Sequence, residues 1–143
     1  MKKNNVSAEV VNTMMANDLF SKWLGISVES VDEGRCRLSM TIKKDMLNGF
    51  GIAHGGIAFS LADSALAFAS NSRNNKSLVL DASISFTRPV KEGDRLIAVA
   101  EEQNVTKRTG IYYISVTTDS GDKVAFFKGI VFRKDELWFP EKE

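Results

Sequence analysis

The chain has 143 residues and a mass of 15.8 kDa, a length that suits one domain of ordinary size and leaves little room for two. Its 19 lysines and arginines nearly balance its 18 aspartates and glutamates, and the formal net charge of +1 argues against a protein built mainly to bind nucleic acid or an anionic membrane. Cys36 is the only cysteine and His54 the only histidine, which excludes an internal disulfide framework and a zinc site of cysteine and histidine ligands. Any chemistry must therefore use carboxylates, hydroxyls, amides, backbone dipoles or His54.

No targeting or membrane-spanning segment is evident in the sequence. Lys2 and Lys3 are not followed by an apolar stretch, and no run approaches the roughly 18 apolar residues of a membrane span. We therefore expect a cytoplasmic protein with no membrane partner. Its residues 1–143 should form a single domain, with an N-terminal helical segment over 1–24 and a C-terminal tail over 134–143.

The first third of the chain changes from a helical to a strand-like period. Residues 7–24 carry apolar residues at helical spacing, in one or two pieces, and Gly25 is expected to end them. A strand is predicted at 26–31. In 35–42 apolar and polar residues alternate strictly, which predicts a half-buried strand with Cys36 on its apolar face, as a core residue rather than a nucleophile.

A helix is predicted over 55–71, and the remainder of the chain returns to the period of strands. The first of these strands should have one apolar face, made of Leu78, Leu80, Ala82, Ile84 and Phe86. Asp81 lies on its opposite, polar face and is interpreted as structural. Three more strands, at 94–104, 110–118 and 123–132, are joined by hairpin-like links. This order of elements predicts an α+β fold with one antiparallel sheet.

The predicted central helix is unusual because residues 57–69 are apolar nearly all round, yet contain Asp63. The helix is too short to span a bilayer, so we expect the sheet to curl around it. No lysine or arginine lies between His54 and Asn71, so Asp63 has no local ion-pair partner. Asp63 either reaches solvent or a partner on another strand, or it is a carboxylate held in a cleft with a perturbed pKa.

The start of this helix favours the second interpretation. The run His54-Gly55-Gly56 would expose backbone N–H groups at the positive end of the helix dipole, where a developing oxyanion can bind, although two glycines also suit close packing. Asp63 follows Gly55 by 8 residues, which is about 12 Å along the axis. If both act in one reaction they must come from different chains, so we expect a site shared across a two-fold dimer with antiparallel central helices.

The run Asn48–Asp63 resembles the signature of the hotdog-fold acyl-CoA thioesterases, and is most similar to their PaaI-like, phenylacetic-acid-degradation group. The resemblance continues through Phe86–Pro89, Gly93-Asp94 and Thr109-Gly110, and covers roughly residues 18–133. It implies a hotdog fold, in which an antiparallel sheet wraps around a long central helix. It also implies homodimers, often homotetramers, and hydrolysis of an acyl-CoA thioester with no cofactor.

The resemblance implies a role for each residue of the motif. Asp63 would be the catalytic carboxylate, as general base or nucleophile, and the Gly55 amide would polarise the thioester carbonyl. Asn48 would place the water or the substrate from the same subunit as Gly55. His54 would hold the loop and face the sulfur side, and Gly56 would give backbone clearance. The hydroxyl that some relatives carry one turn after the acid is missing here; Ser64 is a weak substitute.

Substrate-binding residues are predicted on chemical grounds. Basic side chains should meet the phosphates of CoA, and the candidates are Arg88, beside Pro89, together with Lys107 and Arg108; an ordinary solvated face is the alternative. Three phenylalanines could line an acyl pocket or belong to the core: Phe50, Phe59 and Phe68. The sequence therefore predicts a hydrolase of aryl-acetyl-CoA or medium-sized acyl-CoA. The alternatives are a hotdog enoyl-CoA hydratase or dehydratase and a non-catalytic acyl-CoA binding module.

Overall fold

The N-terminal segment forms two helices, α1 (Val6–Asn17) and α2 (Leu19–Leu24), in a computed structural model that describes residues 6–141. The break falls at Asp18, whose carboxylate accepts the Ser21 backbone N–H at 2.9 Å and so caps a new helix. Gly25 ends α2 as predicted, with φ +76°, a conformation that glycine adopts without strain. No helix within the described residues is long and apolar enough to cross a membrane.

Six strands form one antiparallel sheet, as the sequence predicts. They are β1 (Ser27–Asp32), β2 (Arg35–Thr41), β3 (Asn75–Phe86), β4 (Arg95–Val105), β5 (Thr109–Thr118) and β6 (Lys123–Leu137). Their order across the sheet is β1-β2-β4-β5-β6-β3. The chain leaves the sheet after β2 through a short 3-10 helix (Lys44–Met46) and a glycine-rich loop, and returns to it at β3 after the central helix α3 (Gly55–Asn71).

The sheet wraps around α3, which is the hotdog arrangement. Leu61, Ala62, Ala65 and Leu66 are fully buried, and α3 contacts strands β2 to β6 as well as α1 and α2. Cys36 belongs to this core, as predicted. Its thiol donates to the Ala65 carbonyl oxygen at 3.2 Å, and burial raises the pKa of the thiol to about 12. A thiol in this state is not a nucleophile at neutral pH.

Two strands differ from the sequence-based prediction. In β3 the register with β6 shifts between Val79 and Asp81, so Leu80 is an extra, bulged residue. The alternation of inward and outward side chains therefore changes phase at Leu80. Ala82 and Ile84 face α3 as predicted, whereas Leu78 and Leu80 are exposed (58% and 62%). β6 runs on to Leu137, so the predicted tail begins inside a strand. Residues 1–5 and 142–143, the outer ends of the predicted terminal segments, lie outside the described residues.

Candidate active site

The loop before α3 is organised by Asn48. Its side-chain Oδ1 accepts hydrogen bonds from the backbone N–H groups of Phe50 (2.9 Å) and Ile52 (3.4 Å), and its own backbone N–H donates to the Ile52 carbonyl oxygen at 2.8 Å. Gly51 turns the loop at φ +76°. The Asn48 amide NH₂ has no acceptor among residues 6–141, so it is free to bind a water or a substrate oxygen.

His54 is the N-cap residue of α3. Its Nδ1 accepts the backbone N–H of Gly56 at 3.1 Å, so the ring proton of the neutral side chain is on Nε2. Its own backbone N–H donates to the Met46 carbonyl oxygen at 2.8 Å. A Cβ on Gly56 would approach Nδ1 to 3.2 Å, so the absence of a side chain at Gly56 keeps this cap in place.

The Gly55 amide is the unpaired donor of the first turn. The Gly56 N–H bonds to the His54 ring and the Ile57 N–H bonds to the His54 carbonyl oxygen, but no acceptor within the described part of the chain contacts the Gly55 N–H. The Phe86 ring covers the side of Gly55, with its Cζ 3.1 Å from the position of a Cβ. This amide, at the positive end of α3, suits the developing oxyanion of acyl transfer.

A cavity of about 400 Å³ brings several predicted site residues together. Those that line it are Asn48, His54, Gly55, Arg88 and Pro89. Phe86 and Thr87 also line it. Sequence reasoning treated Phe86 as a sheet residue and gave Thr87 no role, although the run Phe86–Pro89 was the signal that could have identified both.

Arg88 places a positive charge at the cavity wall. Its guanidinium pairs with the Asp122 carboxylate at 2.9 Å, and both side chains are about half exposed (47% and 55%). An exposed pair of this kind is weak, so a ligand phosphate can compete with Asp122 for Arg88.

Asp63 does not line this cavity. It lies farther along α3 and is partly buried, and its carboxylate makes no hydrogen bond or ion pair within residues 6–141. Burial raises the pKa of its carboxyl, and the negative charge of Asp18 raises it further. An unpaired carboxylate with a raised pKa is suited to accept a proton or to attack a carbonyl carbon.

Other predicted binding residues lie elsewhere in the subunit. Ser64 is buried, and its hydroxyl lies 2.8 Å from the Ser21 hydroxyl. Phe59 packs edge-on against Phe127, with ring centroids 5.1 Å apart. Phe68 is fully buried, and Phe50 is 91% exposed. None of these predicted residues contributes to the described lining of the cavity.

Lys107 and Arg108 lie in the β4–β5 hairpin, at the opposite end of β5 from the cavity. Arg108 pairs with Asp135 at 3.1 Å, whereas Arg88 pairs with Asp122 near the other end of the strand. The 10 residues of β5 span about 33 Å. One subunit therefore does not bring these two cations to the cavity wall where Arg88 lies. Asp81 is exposed on the outer face of the sheet, away from the cavity.

Comparison with known proteins agrees with this geometry. The family model of the thioesterase superfamily matches residues 50–125. Acyl-coenzyme A thioesterase PaaI of Escherichia coli is 41% identical over 118 residues, which cover 82% of this chain and 84% of the relative. The structure of E. coli PaaI, from the phenylacetic acid degradation operon, aligns with a TM-score of 0.90 and 37% identity over 92% of this chain and 96% of that one.

A second solved structure, the TT0310 protein of Thermus thermophilus, aligns with a TM-score of 0.79 and 38% identity over 82% of this chain and 99% of that one. The family match includes the second half of the loop, from Phe50, together with the start of α3 and Asp63. The chain therefore belongs to the thioesterase superfamily, in its PaaI-like hotdog group, and is a thioester hydrolase.

Proposed function

We propose that this protein hydrolyses acyl-CoA, with an aryl-acetyl or other medium-sized acyl group, to the free acid and CoA. The name of its E. coli relative, an acyl-coenzyme A thioesterase, and that relative's origin in a phenylacetic acid degradation operon support this substrate class. The observation that carries the proposal is that Gly55, whose N–H has no acceptor within residues 6–141, lines a cavity of about 400 Å³.

The reaction uses two groups at different points of α3. The Gly55 N–H donates to the thioester carbonyl oxygen and stabilises the negative charge that develops there. The Asp63 carboxylate either takes a proton from the attacking water or attacks the carbonyl carbon itself. If Asp63 acts as the base, the water oxygen forms the new C–O bond, the C–S bond breaks, and the CoA thiolate takes up the proton that Asp63 accepted. If Asp63 attacks, its oxygen forms the C–O bond of a mixed anhydride, CoA leaves as a thiolate that takes a proton from solvent, and water then hydrolyses the anhydride to the free acid and restores Asp63. The free Asn48 amide supports the water or the carbonyl from the Gly55 side.

The two groups come from different subunits in this proposal. Asp63 follows Gly55 by 8 residues in one helix, so the two lie about 12 Å apart along the axis, too far for one carbonyl group to meet both. Two antiparallel α3 helices related by a two-fold axis would bring each Gly55 beside the partner's Asp63 and create two identical sites. The partial exposure of Asp63 in a single subunit leaves its carboxylate available for that contact.

The test is thiol release from a panel of acyl-CoA esters, including phenylacetyl-CoA and octanoyl-CoA. We expect the wild type to release CoA, and Asp63→Asn to lower kcat by roughly 10²-fold or more because it removes the proton acceptor. Asp32→Asn is the matched control, because Asp32 is exposed on β1 and its side chain makes no ion pair or hydrogen bond among the described residues. Near-wild-type turnover by Asp63→Asn would contradict the assignment.

Folding of Asp63→Asn can be verified in the same experiment. Burial raises the pKa of Asp63, so its ionised form destabilises the folded protein at neutral pH, and this cost disappears as the pH falls below the pKa of the unfolded chain. Asp63→Asn should therefore unfold at an equal or higher temperature than the wild type at neutral pH. Its activity loss then cannot come from unfolding. A decrease in the unfolding temperature would contradict this account of Asp63.

A further inference from the structure

A second carboxylate, Asp18, is fixed at the flank of the central helix. Its Oδ1 accepts the Ser21 backbone N–H at 2.9 Å, and its Oδ2 accepts the Ser21 hydroxyl at 2.7 Å. An N-cap needs only the first of these bonds. Both oxygens act as acceptors, which is the pattern of an ionised carboxylate, and the pair of bonds holds the group in one orientation.

The Ser21 hydroxyl connects this carboxylate to α3. Ser21 is fully buried, and its Oγ lies 2.8 Å from the Oγ of Ser64, the residue that follows Asp63. A hydroxyl has one proton, and an ionised carboxylate can only accept. Ser21 therefore donates to Asp18, and Ser64 must donate to Ser21. This chain of donors attaches α2, with the Asp18 charge at its start, to the turn of α3 that carries Asp63.

The Ser21 and Ser64 hydroxyls place the Asp18 carboxylate near the turn of α3 that carries Asp63. Burial raises the pKa of the Asp63 carboxyl, and the negative charge of Asp18 raises it further. Other titratable side chains on the elements that pack against α3 make no hydrogen bond or ion pair with Asp63 among the described residues; they include Cys36, Glu102, Tyr112, Arg133, Glu9 and Lys22. The partners of the Asp18 carboxylate are the Ser21 N–H and hydroxyl, and it forms no ion pair with a cation among residues 6–141.

We propose that Asp18 is a positioning residue of the reaction, whose fixed negative charge makes the Asp63 carboxylate a stronger proton acceptor. This inference rests on the proposed function, in which Asp63 acts on water or on the thioester. A nearby like charge favours the protonated form of a carboxyl. A base whose pKa is closer to the working pH transfers protons more effectively than an ordinary aspartate does.

The test removes the negative charge of residue 18 and retains its role as the N-cap of α2. Asparagine and serine are both good N-cap residues, so Asp18→Asn and Asp18→Ser should retain α2. With phenylacetyl-CoA as the probe, the acid limb of kcat/KM against pH should have its midpoint at lower pH in both variants, because Asp63 then loses its proton more easily. The rate on the neutral plateau should fall, because the base is weaker. A purely structural role would lower the rate at every pH without moving the midpoint.

A matched control removes an aspartate charge elsewhere. Asp32→Asn removes an exposed carboxylate of β1. The midpoint of the acid limb of kcat/KM in this variant should equal that of the wild type. A readout independent of turnover is the ¹³C NMR titration of the Asp63 side-chain carboxyl, identified by its loss in Asp63→Asn. Its midpoint should also move to lower pH in Asp18→Asn.

The outcomes separate the two proposals. If the wild type releases no thiol, or Asp63→Asn retains full activity, the proposed function fails. If the wild type is active, Asp63→Asn is inactive, and both the kinetic and the NMR midpoints are unchanged in the Asp18 variants, the inference about Asp18 alone is overturned.

Discussion

At the residue scale, a single backbone amide carries much of the chemistry of the proposed reaction. The first turn of a helix has several N–H groups without helical partners, but in α3 the His54 ring and carbonyl oxygen bind those of Gly56 and Ile57. The Gly55 N–H is left without an acceptor among the described residues, and Gly55 lines the cavity. His54 thus accepts the N–H groups that neighbour the Gly55 N–H. These bonds fit a residue that braces the helix start and do not fit an acid–base partner.

Gly55→Pro should isolate this amide. Proline has no N–H and is favoured at the first position of a helix, and His54, with φ −61° and ψ 136°, already has the extended conformation required before a proline. We expect kcat/KM for phenylacetyl-CoA to fall roughly 10²- to 10³-fold, the usual effect of losing one oxyanion donor.

Gly55→Ala is the matched control for that substitution. Alanine introduces the same Cβ against the Phe86 ring, at 3.1 Å from Cζ, but keeps the N–H. Equal activity of the alanine and proline variants would show that this amide is not the oxyanion donor.

At the scale of elements, the position of α3 depends on one close approach to the sheet. Gly129 of β6 faces Leu66, which is fully buried. A Cβ at position 129 would lie 2.9 Å from Leu66 Cδ1 and 3.1 Å from Cγ, and closer still to Cδ2. The helix can therefore pack this near to β6 only because position 129 has no side chain.

Gly129→Ala should destabilise the fold by about 1–3 kcal/mol, the usual cost of overpacking a core, as measured by urea unfolding. The cost should shrink in a Leu66→Ala background, because the colliding atoms are then gone. Gly49→Ala is the control: its Cβ would meet nothing within 4 Å, so its effect should stay within about 0.5 kcal/mol. Equal effects of Gly129→Ala in both backgrounds would contradict the packing argument.

At the scale of the whole molecule, one subunit contains both groups of the proposed reaction but does not bring them together. The cavity lining includes Gly55 and Asn48 and lacks Asp63. Lys107 and Arg108 also lie far from Arg88 within one subunit, so if they contact CoA bound at Arg88, they must do so from another subunit.

Mixed dimers of Asp63→Asn and Gly55→Pro subunits should recover activity. Each variant alone has two defective sites. A mixed dimer has one site in which the intact Asp63 meets the intact Gly55, so random mixing should restore about a quarter of wild-type activity. Thiol release after joint refolding of the two variants measures it. Activity no greater than that of the separate variants would show that each site belongs to one subunit.

The local elements and the motif could be predicted from the sequence because they depend on short-range patterns. Strict alternation placed Cys36 in the core, and an all-round apolar helix between strands predicted a wrapped sheet. The spacing of Gly55 and Asp63 predicted their separation, since a helix has a fixed rise. A resemblance over Asn48–Asp63 indicated the family that the comparisons show.

Other features were decided by the tertiary structure, because they depend on residues that meet only after folding. The bulge at Leu80 is a matter of register with β6, so alternation alone assigned Leu78 and Leu80 to the wrong face. Ser64 is next to Asp63 in the chain, but its hydroxyl is bound by Ser21 from a different helix. The role of Phe86 follows from the ring covering Gly55 across a gap of 31 residues, a contact that no local pattern specifies.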